Sequence, residues 1–211
     1  MRRLIAGGLA ASLSFLAACS GDATEPVTAP DEDEVAAAEE AAGCEVTVSE
    51  EEFDTTHLDP ADAPPASELY DERPAVGGPH FGEWLTAGVF DDPVEERAAV
   101  HNLERGAVAV HLSPDLDEDQ VAAVEAWANA RNEAGLLDER SGAGLLVAPW
   151  EEPLGPPVAF RAWGVAADCE RFDETFADGF VRDHFGPAGV APEGSFGVDP
   201  TEVIGDAAEV V

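Results

Sequence analysis

Residues 106–112 read Gly-Ala-Val-Ala-Val-His-Leu, and alternation of this kind is the signature of a β-strand. Its parity puts Val108, Val110 and Leu112 on one face and Ala107, Ala109 and His111 on the other. The sheet built around it therefore has an aliphatic side and a side lined by small residues. Ser113-Pro114 follows as a predicted N-cap with proline at the first helical position, and Asp115, Asp117 and Glu118 add negative charge where a helix dipole favours it. Val121, Val124, Trp127 and Ala128 recur at helical spacing, and Gly135 is placed to close that helix. Residues 44–48, 145–148 and 158–163 read as further strands. Phe172, Phe176 and Phe180 recur every four residues, which gives a second amphipathic helix ending near Gly186, with the stripe read as core. Between residues 50 and 96 the chain is dense in Pro, Gly and Asp, and a long ordered loop is expected there. Strands and helices do not alternate strictly, so the expected class is α+β. The expected form is one small domain over residues 43–193, with a short-stranded sheet, two amphipathic helices and the long loop.

The flanks differ in chemistry. Met1-Arg2-Arg3 is a basic start, and the fifteen uncharged residues 4–18 are too few to span a bilayer as a helix, which takes about twenty. Residues 1–18 thus read as an export signal. Leu16-Ala17-Ala18-Cys19 is similar to the lipobox of bacterial lipoproteins, in which the cysteine is acylated and becomes the new N-terminus. The expectation is a protein lipid-anchored through Cys19 at the extracytoplasmic face of the cell membrane; the alternative is an ordinary signal peptide and a free Cys19 thiol. Residues 19–42 are acidic, lack aromatic residues and are expected to form a disordered tether, with a marginal helix at 35–42. Residues 194–211 are again acidic and are expected to pack loosely at most.

Composition removes several functions. The chain carries 45 Asp+Glu against 10 Lys+Arg, a formal charge of −35, and contains no lysine. Schiff-base chemistry and a Walker-type phosphate loop both need that lysine, and so negative a surface repels nucleic acid. No Gly-x-Ser-x-Gly occurs, so a serine hydrolase is unsupported. With Cys19 assigned to lipid, Cys44 and Cys169 remain as an even pair in a compartment where disulfides persist. A bridge between them is expected, with two buried thiols as the alternative. The acidic pairs Asp91-Asp92 and Glu95-Glu96 read as solvated charge.

Residues 70–112 contain Gly78-Pro79-His80-Phe81, Trp84, Gly88-Val89-Phe90 and Val100-His101-Asn102-Leu103-Glu104-Arg105-Gly106. This pattern resembles the bacterial Domain of Unknown Function 3105 family, which runs roughly S-G-P-H-Y, W, G-V-Y and V-H-x-L-E-H-G before an aliphatic strand. His57 resembles an upstream histidine of that family, and Trp163-Gly164 resembles a later W-G. The resemblance implies no established activity. Where the chain departs from it, Gly77, Phe81, Phe90 and Arg105 stand for Ser, Tyr, Tyr and His, and each change removes a hydroxyl or a lone-pair nitrogen.

An H-x-x-E-H segment sets two histidines on one face if it is helical, as chelation needs. Arg105 cannot supply a lone pair to a metal, so that clip is lost here. His57, His80, His101 and Glu104 remain as possible ligands, and only the fold can bring them together. His111 and His184 read as structural, the latter favoured by a helix C-terminus. Three functions follow. The first is a lipid-anchored, non-catalytic binding or cell-envelope domain whose loop is ordered by Trp84, Arg105 and the histidines, its protein or small-molecule partner unknown. The second is a metalloprotein holding zinc or copper through His57, His80 and His101; thioether ligation is excluded in the mature chain because Met1 is the only methionine. The third is a metal-dependent hydrolase with Glu104 as base. The first is preferred. On that reading metal binds weakly or not at all, and Arg105 pairs with a nearby carboxylate.

Overall fold

The computed structural model describes residues 29–204; residues 1–28, on which the expected export signal and Cys19 fall, and residues 205–211 lie outside them. In chain order the elements are α1 (Glu32–Ala42), β1 (Cys44–Val48), β2 (His57–Leu58), α2 (Ala66–Leu69), β3 (His80–Phe81), β4 (Gly88–Val89) and α3 (Glu96–Glu104). They continue with β5 (Val108–Leu112), α4 (Glu118–Arg131), β6 (Leu145–Pro149), β7 (Val158–Ala162), β8 (Val165–Cys169), α5 (Glu174–His184) and α6 (Thr201–Ile204). The class is α+β. One mixed sheet runs β1-β8-β7-β5-β6-β4, antiparallel from β1 to β5 and parallel from β5 to β4.

β5 sits near the middle of this sheet, and its two faces divide the core as their parity requires. Val108, Val110 and Leu112 join Phe160, Trp127, Phe176 and Phe180 in one cluster beneath α4 and α5. Ala107 and Ala109 face the other way, and their small side chains let α3 lie close, with Val100 and Leu103 packed beside Leu146. Burying each Phe, Leu or Val here contributes about 1.5–3 kcal/mol. Under α4 the buried Asp178 accepts from Trp127 Nε1 at 2.8 Å and from Arg131 at 2.7 and 3.0 Å. The expected bridge is present: Cys44 and Cys169 are cross-strand partners in β1 and β8 and form a disulfide.

Four expectations need correction. Residues 32–42 are not a disordered tether: α1 is closed by a reciprocal Asp31–Glu34 capping box and ends at Gly43, whose φ is 66°. Tertiary packing sustains it, because Val35 lies where a Cβ on Gly179 of α5 would overlap it, and Ala38 and Ala42 are buried. Residues 194–204 are not loose either. Just before them the amide of Glu193 donates to Glu104 O at 2.9 Å, the Cα of Gly194 and the carbonyl of Val198 lie where a Cβ on Gly106 and one on Gly186 would sit, and Ile204 is fully buried. Helix α4 starts at Glu118, with Asp117 rather than Ser113 at its N-cap. Ser113 instead closes a turn: its carbonyl accepts from Leu116 N, and its hydroxyl binds Asp115 and the Leu154 amide. Finally, Glu96, expected with Glu95 as solvated charge, is buried, and at the end of α5 burial pushes the pKa of His184 down despite Asp183 beside it.

The 50–96 stretch is mostly loop, with α2, β2, β3 and β4 as short pieces within it. Glu96, buried at the start of α3, ties it down by accepting from Ala75 N at 2.9 Å and Arg73 Nε at 2.6 Å. Arg161, reaching out from β7, donates to Pro74 O at 2.7 Å. This tied-down loop carries half of the candidate site.

Candidate metal centre

Two local rules place the four side chains. β2 and β3 pair in parallel with His57 opposite His80, so both imidazoles leave the same face of this small ladder. His101 and Glu104 are three residues apart on α3 and share one face of the helix. β3 packs on α3, and the two faces meet. The three ring centroids form a nearly equilateral triangle with sides of 5.0, 4.9 and 5.0 Å. Glu104 Oε2 lies 3.1 Å from His80 Nε2, 3.7 Å from His57 Nε2 and 3.9 Å from His101 Nε2. One ligand atom from each residue fits within 4.8 Å of every other. Tetrahedral zinc with bonds of about 2.1 Å would set its donors about 3.4 Å apart, so modest side-chain movement closes the site.

The tautomers are fixed from outside. His80 Nδ1 donates to Gly78 O and His101 Nδ1 donates to Phe81 O, each at 2.8 Å. Carbonyls only accept, so each neutral ring keeps its Nε2 lone pair for the interior of the cluster. Metal-ligating histidines are oriented by this kind of outer hydrogen bond. Tyr70 OH donates to Pro79 O at 2.7 Å and steadies the same turn. His80, His101 and Glu104 are buried, whereas the His57 side chain is 52% exposed and opens the cluster to solvent. Burial first, then the neighbouring His80 and Arg105, lower the pKa of His101 to about 4, which keeps its Nε2 a lone-pair acceptor at neutral pH.

Arg105, at the C-cap of α3, stands at the edge of this cluster. Its Nε–H donates to His101 Nε2 at 3.1 Å, its guanidinium lies 4.2 Å from the Trp84 ring centroid, and its Nη2 is 3.4 Å from Glu193 Oε2. Trp84 also meets His101 edge-on at 5.4 Å and packs where a Cβ on Gly142 would sit. Among the four departures from the family pattern, Arg105 hydrogen-bonds a histidine through its side chain. Phe81 contributes its carbonyl, while its ring underlies the Arg97 guanidinium at 4.4 Å.

Asn102 went unnoticed in the sequence. It is fully buried; its amide donates to Leu85 O and Gly142 O, both at 2.7 Å, and its carbonyl accepts from Leu85 N at 2.8 Å. The available signal was an asparagine inside a helical turn, a poor choice for a helix interior unless its amide is used. His111 lies away from the centre on β5, edge-on to Trp150 at 4.9 Å; burial and Arg161 lower its pKa to about 3.

Fold and site together define an α+β protein with a buried cluster of three histidines and one carboxylate that opens to solvent at one histidine. The chain belongs to the family described as Protein of unknown function (DUF3105), whose model matches residues 65–196. His80, His101, Glu104 and Arg105 lie inside the matched stretch and His57 lies upstream of it. Among curated proteins and among solved structures, nothing matches the chain.

Proposed function

We propose that this protein is a divalent-metal-binding domain of the cell envelope, held at the outer face of the membrane by acylated Cys19, with the metal ligated by His57, His80, His101 and Glu104. One observation carries the reading: three imidazoles and a carboxylate converge while the two buried rings commit Nδ1–H to backbone carbonyls. In a neutral His80 this leaves the Nε2 lone pair facing a carboxylate oxygen at 3.1 Å, an arrangement that is repulsive unless a proton or a cation lies between them. Three nitrogens and one oxygen, with both described cysteines held in a disulfide, suit Zn²⁺ first and Cu²⁺ second. Glu104 Oε2 stands 3.1–3.9 Å from all three Nε2 atoms, close to the spacing between two donors of one metal, which favours ligation over the role of general base. The chain's charge of −35 raises the local concentration of cations at the mouth near His57.

A second reading, a cluster that orders the loop without metal, is favoured by the Arg105–His101 hydrogen bond. Elemental analysis of untagged protein, followed by calorimetric titration with Zn²⁺ and Cu²⁺, separates the two. The metal reading expects one equivalent bound, lost in His80→Ala. Absence of binding by every metal tried leaves the loop-ordering reading. The anchor is tested with a clickable fatty acid: wild type should label and Cys19→Ser should not, and equal labelling would refute lipidation.

A further inference from the structure

We propose that Arg105 is a built-in competitor for the metal, so that the site exchanges its ion rather than holding it permanently. This rests on the metal-binding reading above. The His101 Nε2 lone pair is the atom a metal would need, and in the structure the Arg105 Nε–H occupies it at 3.1 Å. One lone pair cannot serve both. A guanidinium stays charged at every accessible pH, so it cannot yield by losing a proton and has to move. Arriving metal would also meet a fixed positive charge, and the two repel.

The surroundings provide a place for Arg105 to go. Trp84 already carries the guanidinium on its ring, and Glu193 lies 3.4 Å from Nη2 with its Oε2 buried and accepting no hydrogen bond. Shifting the head group away from His101 toward these two keeps the cation–π contact and turns a loose ion pair into a hydrogen-bonded one. Glu193 is itself fixed to the site helix, because its amide donates to Glu104 O at 2.9 Å. Metal entry, Arg105 displacement and tightening of the segment around Glu193 are therefore one coupled event. Arg105 acts through His101 and is a positioning residue; it is not a ligand.

The test is Zn²⁺ alone, titrated into the purified full-length protein against a chromophoric chelator. Arg105→Met keeps an apolar stem over Trp84 but removes donor and charge. It should bind Zn²⁺ roughly 10- to 100-fold more tightly than wild type, the worth of one charged hydrogen bond. Arg105→Lys retains the charge and should gain less, and adding His101→Ala to Arg105→Met should abolish the gain. Zn²⁺ should also change Trp84 emission in wild type, read as the signal lost in Trp84→Phe, and change it much less in Arg105→Met. Equal or weaker Zn²⁺ binding by Arg105→Met, with its thermal unfolding intact, overturns the competitor role and leaves the metal site standing. If neither wild type nor Arg105→Met binds Zn²⁺, the site reading falls and this inference falls with it.

Discussion

Asn102→Ala should destabilise the protein by about 3 kcal/mol while deleting only three heavy atoms from the core. The Asn102 side chain is fully buried and makes three hydrogen bonds of 2.7–2.8 Å, two to Leu85 and one to Gly142. Removing it strands the buried Gly142 carbonyl, which costs roughly 1–3 kcal/mol, and breaks two partly buried bonds worth about 0.5–1.5 kcal/mol each, because Leu85 recovers some hydration. For a domain of this size about 3 kcal/mol corresponds to roughly 6–12 °C in Tm. Asn102→Asp at neutral pH should be worse than alanine. It keeps the acceptor for Leu85 N–H but sets a carboxylate oxygen against two carbonyl oxygens, with no donor between them. Urea unfolding gives the free energy, and native-state hydrogen exchange at Leu85 reads the loop directly. A loss below about 1 kcal/mol for Asn102→Ala, or an aspartate variant as stable as wild type, would show that Asn102 does not fasten the Trp84–Leu85 segment to α3.

Three further outcomes follow from the structure. The urea midpoint should rise from low to molar NaCl, because a formal charge of −35 repels itself and salt screens it; an unchanged midpoint would mean that the charges are too dispersed to matter. His111 is held neutral with a folded pKa of about 3, so the unfolded chain takes up a proton below about pH 6.5 that the native state refuses. Its contribution is present above that pH and is lost as pH falls toward 3, by about 1.4 kcal/mol per pH unit; His111→Leu should flatten this slope, and an identical pH profile would refute the assignment. Gly179→Leu should push α1 off α5 through Val35 and expose residues 32–42 to protease, and unchanged resistance there would show that α1 does not depend on this contact.

Local patterns were legible wherever one segment contains its own reason. The alternation in β5 predicted both its strand and the division of the core, because side chains in a strand alternate faces whatever they pack against. The phenylalanine stripe predicted α5 for the same kind of reason, and the even pair of cysteines predicted the disulfide. Helix α1 was under-read: its capping box is visible in the sequence at Asp31 and Glu34, but an eleven-residue helix is marginal in water and needs the groove at Gly179 to persist. At α4 two acceptable caps compete within a few residues, and the hydroxyl of Ser113 is used by Asp115 and Leu154 instead.

By itself, the sequence determined the α+β class, the aliphatic and small-residue faces of the central strand, the pairing of Cys44 with Cys169 and the inventory of possible ligands. These follow from periodicity and from which atoms a side chain carries. Only the tertiary structure decided that His57, His80, His101 and Glu104 share one centre. Intervals of 23 and 21 residues between the histidines set no distance in a loop, and the ladder of β2 with β3 and its packing on α3 supply the geometry that spacing cannot. The same holds for Arg105. Its charge could be read from the sequence, but its hydrogen bond to His101 depends on where the end of α3 falls against Trp84 and Glu193.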